Sequence, residues 1–139
     1  MTNQEKIQFL RQYRNVLQKV EMLKRDLIRW RELGEKVTPS LTGMPQGGQN
    51  VPKVEQSAIM ICDIEKEINE RIAQSARLYM QILQAIESVE DVTLQNLLHR
   101  RYIDGEKWEE IAVDMHYTWR WVHKLHKRAL DMLETEKSS

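Results

Sequence analysis

The sequence predicts an all-α protein in two parts: a long N-terminal antiparallel helical hairpin, coiled-coil-like in character, and a C-terminal helix-turn-helix domain. Three observations carry this. Apolar residues recur at spacings of three and four through most of the chain, the period of one helix face. All three prolines and three of the five glycines fall in one stretch, residues 38–52. Past residue 90 the periodic segments become short and are separated by turn residues. The hairpin is therefore placed over 1–90, with a flexible loop at about 38–52, and the second domain over 91–139.

The first helix is expected over roughly 3–36. It has no proline, its one glycine is Gly34, and Leu10, Tyr13, Leu17, Val20, Leu23, Leu27 and Trp30 line one face. TPSLTGMPQGGQNVP then breaks the pattern. The second helix runs from about Lys53 to Ser88, with a seam of Val54, Ser57, Ile61, Ile64, Ile68, Ile72, Ser75, Tyr79, Ile82 and Ile86. The alternation of threes and fours in that seam suits a coiled-coil-like surface. Each long helix would span about 50 Å at the usual rise per residue. A two-helix hairpin buries little apolar surface by itself, so the remaining apolar face is expected to meet a second copy, giving a homo-oligomer such as a dimer. The competing expectation is a closed monomer with these helices packed on the C-terminal part.

Asp91 is a candidate N-cap for a third helix carrying Leu94, Leu97, Leu98 and Tyr102, which stops at the turn pair Asp104-Gly105. A short helix from about Lys107 to Met115 places Trp108, Ile111, Ala112 and Met115 toward a core. His116-Tyr117 makes a tight connection, and Thr118 caps a last helix over 119 to about 134. Short helix, tight turn and longer helix with a basic start is helix-turn-helix architecture.

Charge and composition narrow the function. The chain carries 21 basic and 21 acidic side chains, but unevenly. Residues 1–37 have nine Lys and Arg against five Asp and Glu, whereas residues 53–91 have four against eight. Residues 104–114 hold five acids and one lysine, and residues 116–130 hold four cations and no acid. Local charge, not the net, is informative about partners. The single cysteine, Cys62, rules out an internal disulfide framework and reads as a small buried structural residue in a reducing compartment. No signal-like N-terminus and no membrane-length apolar run is present, so a cytoplasmic protein without a membrane partner is expected. There is no phosphate-binding glycine loop, zinc-protease motif or nucleophile elbow, so no enzyme, no catalytic residue and no cofactor are expected. His123 and His126 stand at i, i+3 without a cysteine or carboxylate to complete a site, so no metal is expected either. His126 falls toward the inner face as a hydrogen-bonded, half-buried residue.

The segment HYTWRWVHKLHKRAL, residues 116–130, resolves into two faces at about 100° per residue. With Val122 inward, Leu125, Ala129 and Leu133 complete a core stripe. Arg120, Lys124 and Lys127 align on the opposite side. His123 flanks that line on one edge, Trp121 and Arg128 on the other, and Trp119 sits on the shoulder. Such a face suits double-stranded DNA. Arg or Lys can bond guanine O6 and N7, flanking cations can hold phosphates, and an apolar ring can meet a thymine methyl. The candidate DNA-binding residues are Thr118, Trp119, Arg120, Trp121, His123, Lys124, Lys127 and Arg128. The stripe also has a plainer reading as a solvated face, and Trp119 and Trp121 can serve either packing or contact. The acids Glu106, Glu109, Glu110 and Asp114 would have to lie away from DNA.

Residues 102–133, YIDGEKWEEIAVDMHYTWRWVHKLHKRALDML, resemble region four of bacterial sigma factors, the module that reads the promoter −35 element. The shared pattern is Glu110-Ile111-Ala112, a turn, then Thr118, Val122, Leu125, Ala129 and Leu130. It covers about a quarter of the chain. With the long helices and the MPQGG loop added, the layout resembles small phage and prophage proteins with a sigma-like C-terminus, some of which activate late operons. The resemblance implies base reading at Trp119, Arg120, His123 and Lys124. His116 replaces the common turn glycine, which asks it for a left-handed backbone. Nothing resembles the promoter-melting region two, so an activator or adaptor acting with RNA polymerase is implied, not a complete sigma factor. The alternative is a coiled-coil interaction scaffold whose C-terminal helices dock a protein, with Trp119 and Trp121 as anchors.

Overall fold

The computed structural model of the chain describes residues 1–41 and 51–134, with side chains described outside 36–53. Every regular element among them is helical: α1 (Asn3–Leu41), α2 (Val51–Glu87), α3 (Val92–Leu98), a π-helical turn (His99–Ile103), α4 (Trp108–Met115) and α5 (Trp119–Met132). Both long helices reach further into the proline- and glycine-rich stretch than its composition predicts. α1 continues to Leu41 and α2 already starts at Val51, so the loop expected over 38–52 loses both ends. Pro52 is tolerated because the first turn of a helix has no intrahelical partner for the N–H that proline lacks. The middle of the expected loop, 42–50, lies outside the described residues.

The chain divides into two compact units, one formed by Met1–Val16 with Ser75–Ser139 and the other by Leu17–Gln74. In the second unit α1 and α2 pair antiparallel. Val20 and Leu23 of α1 bury against Ile64 and Ile68 of α2, with Leu27, Trp30 and Met60 half-buried around them. Gly34 lies beside Ser57, where an added Cβ would meet the serine Cβ at 3.8 Å. Arg31 and Glu65 bridge the pair at 3.8 Å, both well exposed, so the contact contributes little.

Two residues expected inside lie outside. Ile72 is exposed, because the four-residue step from Ile68 turns it about 40° off the buried line, to which Ser75 returns. Cys62 is exposed, not buried. It precedes Ile64 by two residues and so stands about 160° round the helix from that buried side chain.

The first unit contains the larger core. Leu10 of α1 and Ile82, Ala85, Ile86 and Val89 at the end of α2 join Leu94, Leu97 and Leu98 of α3, Tyr102 and Ile103, Ile111 and Ala112 of α4, and Val122, Leu125, Ala129, Leu130 and Leu133. The helices beyond position 90 thus share one core with the N-terminal turns of α1 and the last turns of α2. Polar contacts reinforce the join. The buried Lys6 donates from Nζ to the Leu130 carbonyl at 2.7 Å, at a helix C-terminus whose carbonyls lack intrahelical donors and carry negative partial charge. Glu134 N–H donates to Ser88 Oγ at 3.0 Å.

Local sequence sets the helix ends. Glu5 N–H donates to Thr2 Oγ1 at 3.2 Å, a capping interaction at the start of α1. Asp91 caps α3 by accepting from Thr93 and Leu94 N–H at 2.8 and 3.2 Å. The third helix reaches the expected Asp104-Gly105 turn, but its last turn widens. Asp104 N–H bonds the His99 carbonyl five residues back at 3.0 Å, and Tyr102 and Ile103 both turn inward. Gly105 has φ 75°, a left-handed backbone that glycine adopts readily; a Cβ there would come within 2.6 Å of the Arg14 guanidinium carbon, at the flexible end of that side chain. α4 ends on His116 at φ 60°, ψ 40°, the left-handed conformation expected of that position. His116 and Tyr117 N–H then bond the Val113 and Ala112 carbonyls at 3.2 and 2.9 Å, a Schellman ending.

Two stability outcomes follow. Leu10→Ala should cost about 2–5 kcal/mol and speed amide exchange in α3–α5, far away in sequence; exchange confined to α1 would refute the shared core. His116→Gly should raise the urea midpoint, because relief of about 1–2 kcal/mol of left-handed strain exceeds glycine's entropy cost of about 0.5–1 kcal/mol.

Candidate nucleic-acid interface

The inner stripe of α5 is as the angles predict: Val122, Leu125, Ala129 and Leu133 are buried, and Leu130, which lies off that stripe, is buried as well. That burial fixes which face is left outside. Thr118 caps the helix in extended conformation and its Oγ1 accepts from Trp121 N–H at 3.1 Å. Its side chain is thus engaged in ending the turn. Arg120, Lys124 and Lys127 are exposed, and none of them has an acidic partner among the described residues. Arg128, also exposed, lies over the Trp121 ring at 5.4 Å from its centroid. These side chains leave a cationic ridge along the first two and a half turns.

The aromatic residues divide into two groups. Trp121 is 37% exposed beside Arg128 and Trp119 is 58% exposed, so neither belongs to the core. The Trp119 ring nevertheless packs on His123 at 3.9 Å between centroids. His123 packs in turn on Trp108 at 5.0 Å, and the Arg101 guanidinium lies over Trp108 at 4.8 Å. His123 is half-buried, and its Nε2 is shielded without a hydrogen-bond partner. Its ring is committed to support, so of the four expected base-reading positions it is the one least able to reach a base edge. Arg101 and Trp108 are the contributors that spacing did not reveal. The i, i+4 relation of Trp119 and His123 was visible on a helical wheel, but the link to Trp108 and Arg101 crosses elements.

Below this stack, the half-buried His126 and the buried Tyr102 form a polar pair. Tyr102 Oη and His126 Nε2 are 2.7 Å apart, and Trp108 meets His126 edge-on at 4.6 Å. Burial pushes the His126 imidazole down to about 4, helped by the positive surroundings of His123, Arg101 and Arg11. Burial likewise raises the Tyr102 hydroxyl to about 12, against the pull of Arg101 and Arg11. Both are neutral at pH 7, with the tyrosine hydroxyl as donor to Nε2 when the imidazole proton sits on Nδ1. This half-buried, hydrogen-bonded place is the one expected for His126.

The acids in and just before α4 are partly neutralised. Arg100 Nη1 lies 3.2 Å from Glu106 and 3.3 Å from Asp114. Glu109 and Glu110 remain exposed. Among the described residues no group of three or more His, Cys, Asp or Glu could hold a metal ion, and no helix is long and apolar enough to cross a membrane. No family model, curated protein or solved structure matches the chain.

The half-buried His126 gives a pH signature. Above about pH 6.5 His126 is neutral in both the folded and unfolded chain. As pH falls toward 4 the unfolded chain takes up a proton that the folded one resists, so stability should drop across that window. His126→Gln, which keeps an acceptor for Tyr102, should flatten the loss in denaturation curves between pH 6.5 and 4. An unchanged slope would assign the effect to other groups.

Proposed function

We propose that this chain is a sequence-specific DNA-binding transcription regulator of the phage and prophage type. α4 and α5 act as its helix-turn-helix, α5 enters the major groove, and the protein works beside host RNA polymerase. The observation that carries the reading is the exposed, acid-free ridge of Arg120, Lys124 and Lys127 on a capped helix whose opposite face is locked into the core. A row of cations without acidic partners among the described residues suits a polyanion, and in a recognition helix it is the N-terminal residues that contact base edges. The capture of Glu106 and Asp114 by Arg100 supports it, since it lessens the acidic repulsion that α5 would meet on approaching DNA. The resemblance of residues 102–133 to sigma region four points the same way.

Self-association through the N-terminal helices belongs to this proposal. It is supported by the exposure of Met22, Ile28, Leu33 and Ile59 on the Leu17–Gln74 unit. A second reading, docking of a protein in place of DNA, is favoured by one observation, the exposure of Trp119 and Trp121 on either side of the ridge.

Selection of bound duplexes from random DNA, followed by titration of the winner against scrambled DNA, separates the two. A regulator enriches one motif and binds it far more tightly than the scramble. Arg120→Ala with Lys124→Ala should then weaken specific binding by about 2–6 kcal/mol if each side chain holds a base edge, with the helical content unchanged. Undiminished binding by the double variant would rule out this face as the DNA-reading surface.

A further inference from the structure

Resting on the DNA reading above, we propose that Trp119 reads the 5-methyl group of a thymine, with His123 as the positioning residue that holds the indole for it. Trp119 combines two properties that seldom go together. More than half of its surface is open, yet the ring is braced at 3.9 Å by His123, which is itself wedged against Trp108. Trp108 is in turn covered by Arg101. An apolar ring this large is a strong source of binding energy when covered. Being held in place beforehand, it loses little freedom on contact.

What covers it follows from its neighbours. Arg120 is the next residue, and with Lys124 and Lys127 it forms the exposed cationic ridge about 100° round the helix. The Trp119 side chain leans back toward the helix N-terminus, the end placed over base edges when a recognition helix enters the major groove. Base edges there present donors and acceptors, and the thymine methyl is the one apolar group among them. An indole offers an apolar ring face to that methyl. Trp121 differs, because Arg128 lies over its ring, which suits the phosphate flank.

The test uses the full chain and the duplex it selects from random DNA. Each thymine of that duplex is replaced in turn by uracil, which removes the methyl and keeps the Watson–Crick pairing. The expected result is one position near the N-terminal end of α5 at which uracil weakens binding by about fourfold, the worth of one buried methyl-sized group. In Trp119→Ala that discrimination should vanish while cationic binding persists, and in His123→Ala it should shrink with Trp119 still present. Circular dichroism checks that each variant stays helical. If every thymine tolerates uracil, or the same penalty survives in Trp119→Ala, this inference fails and the DNA reading stands. If no duplex is enriched at all, the DNA reading fails and the inference goes with it.

Discussion

α3, α4 and α5 are seven, eight and fourteen residues long, and isolated helices of such length are marginal in water. Their existence rests on a shared apolar core with the first turns of α1 and the last turns of α2. Leu10, Ile82, Leu97, Leu98, Ile111 and Val122 are all essentially inaccessible to water within it. Fully burying one such side chain is worth about 1.5–3 kcal/mol, so the cluster outweighs any single cap or ion pair. Lys6 strengthens the arrangement from α1, placing its ammonium on the C-terminal carbonyl of Leu130.

That core has a directional consequence. A helix that commits Val122, Leu125, Ala129 and Leu130 inward has no freedom left in its rotation about its axis. The position of Arg120, Lys124 and Lys127 on the outside is therefore set by packing, not by their own interactions. The caps on either side of the turn, the left-handed His116 and the Thr118 hydroxyl, set where α5 begins. Tolerating strain at His116 where glycine would relieve it is the kind of local cost found where conformation serves a purpose.

The ring stack behind Trp119 shows how one chemistry supports another. Arg101, Trp108, His123 and Trp119 come from the π turn, α4 and α5, and together they connect the Tyr102–His126 pair to the exposed rim. His126, held neutral by burial, adds no charge of its own beneath this layer at physiological pH. His123 lends its ring to the brace, which leaves Trp119 and Arg120 as the prominent groups at the leading end of α5.

Most of the helical architecture was legible in the sequence. Periodicity located all five α-helices, Asp91 and Thr118 announced their caps, and the Val122 stripe was readable as angles, because these depend on residues within a few positions of one another. Composition misplaced the ends of the long helices at Leu41 and Val51, since proline and glycine content does not say how far a helix tolerates them. The lone Cys62 was assigned to the interior on residue type, when its angular position placed it outside. Other features were decided only by tertiary structure. The partnership of Leu10 with the helices beyond position 90, Lys6 on Leu130, Arg100 between Glu106 and Asp114, and Trp108 behind His123 all join residues on different elements. Such contacts have no local period to betray them; they arise when short apolar faces with no other way to leave water close on the same core.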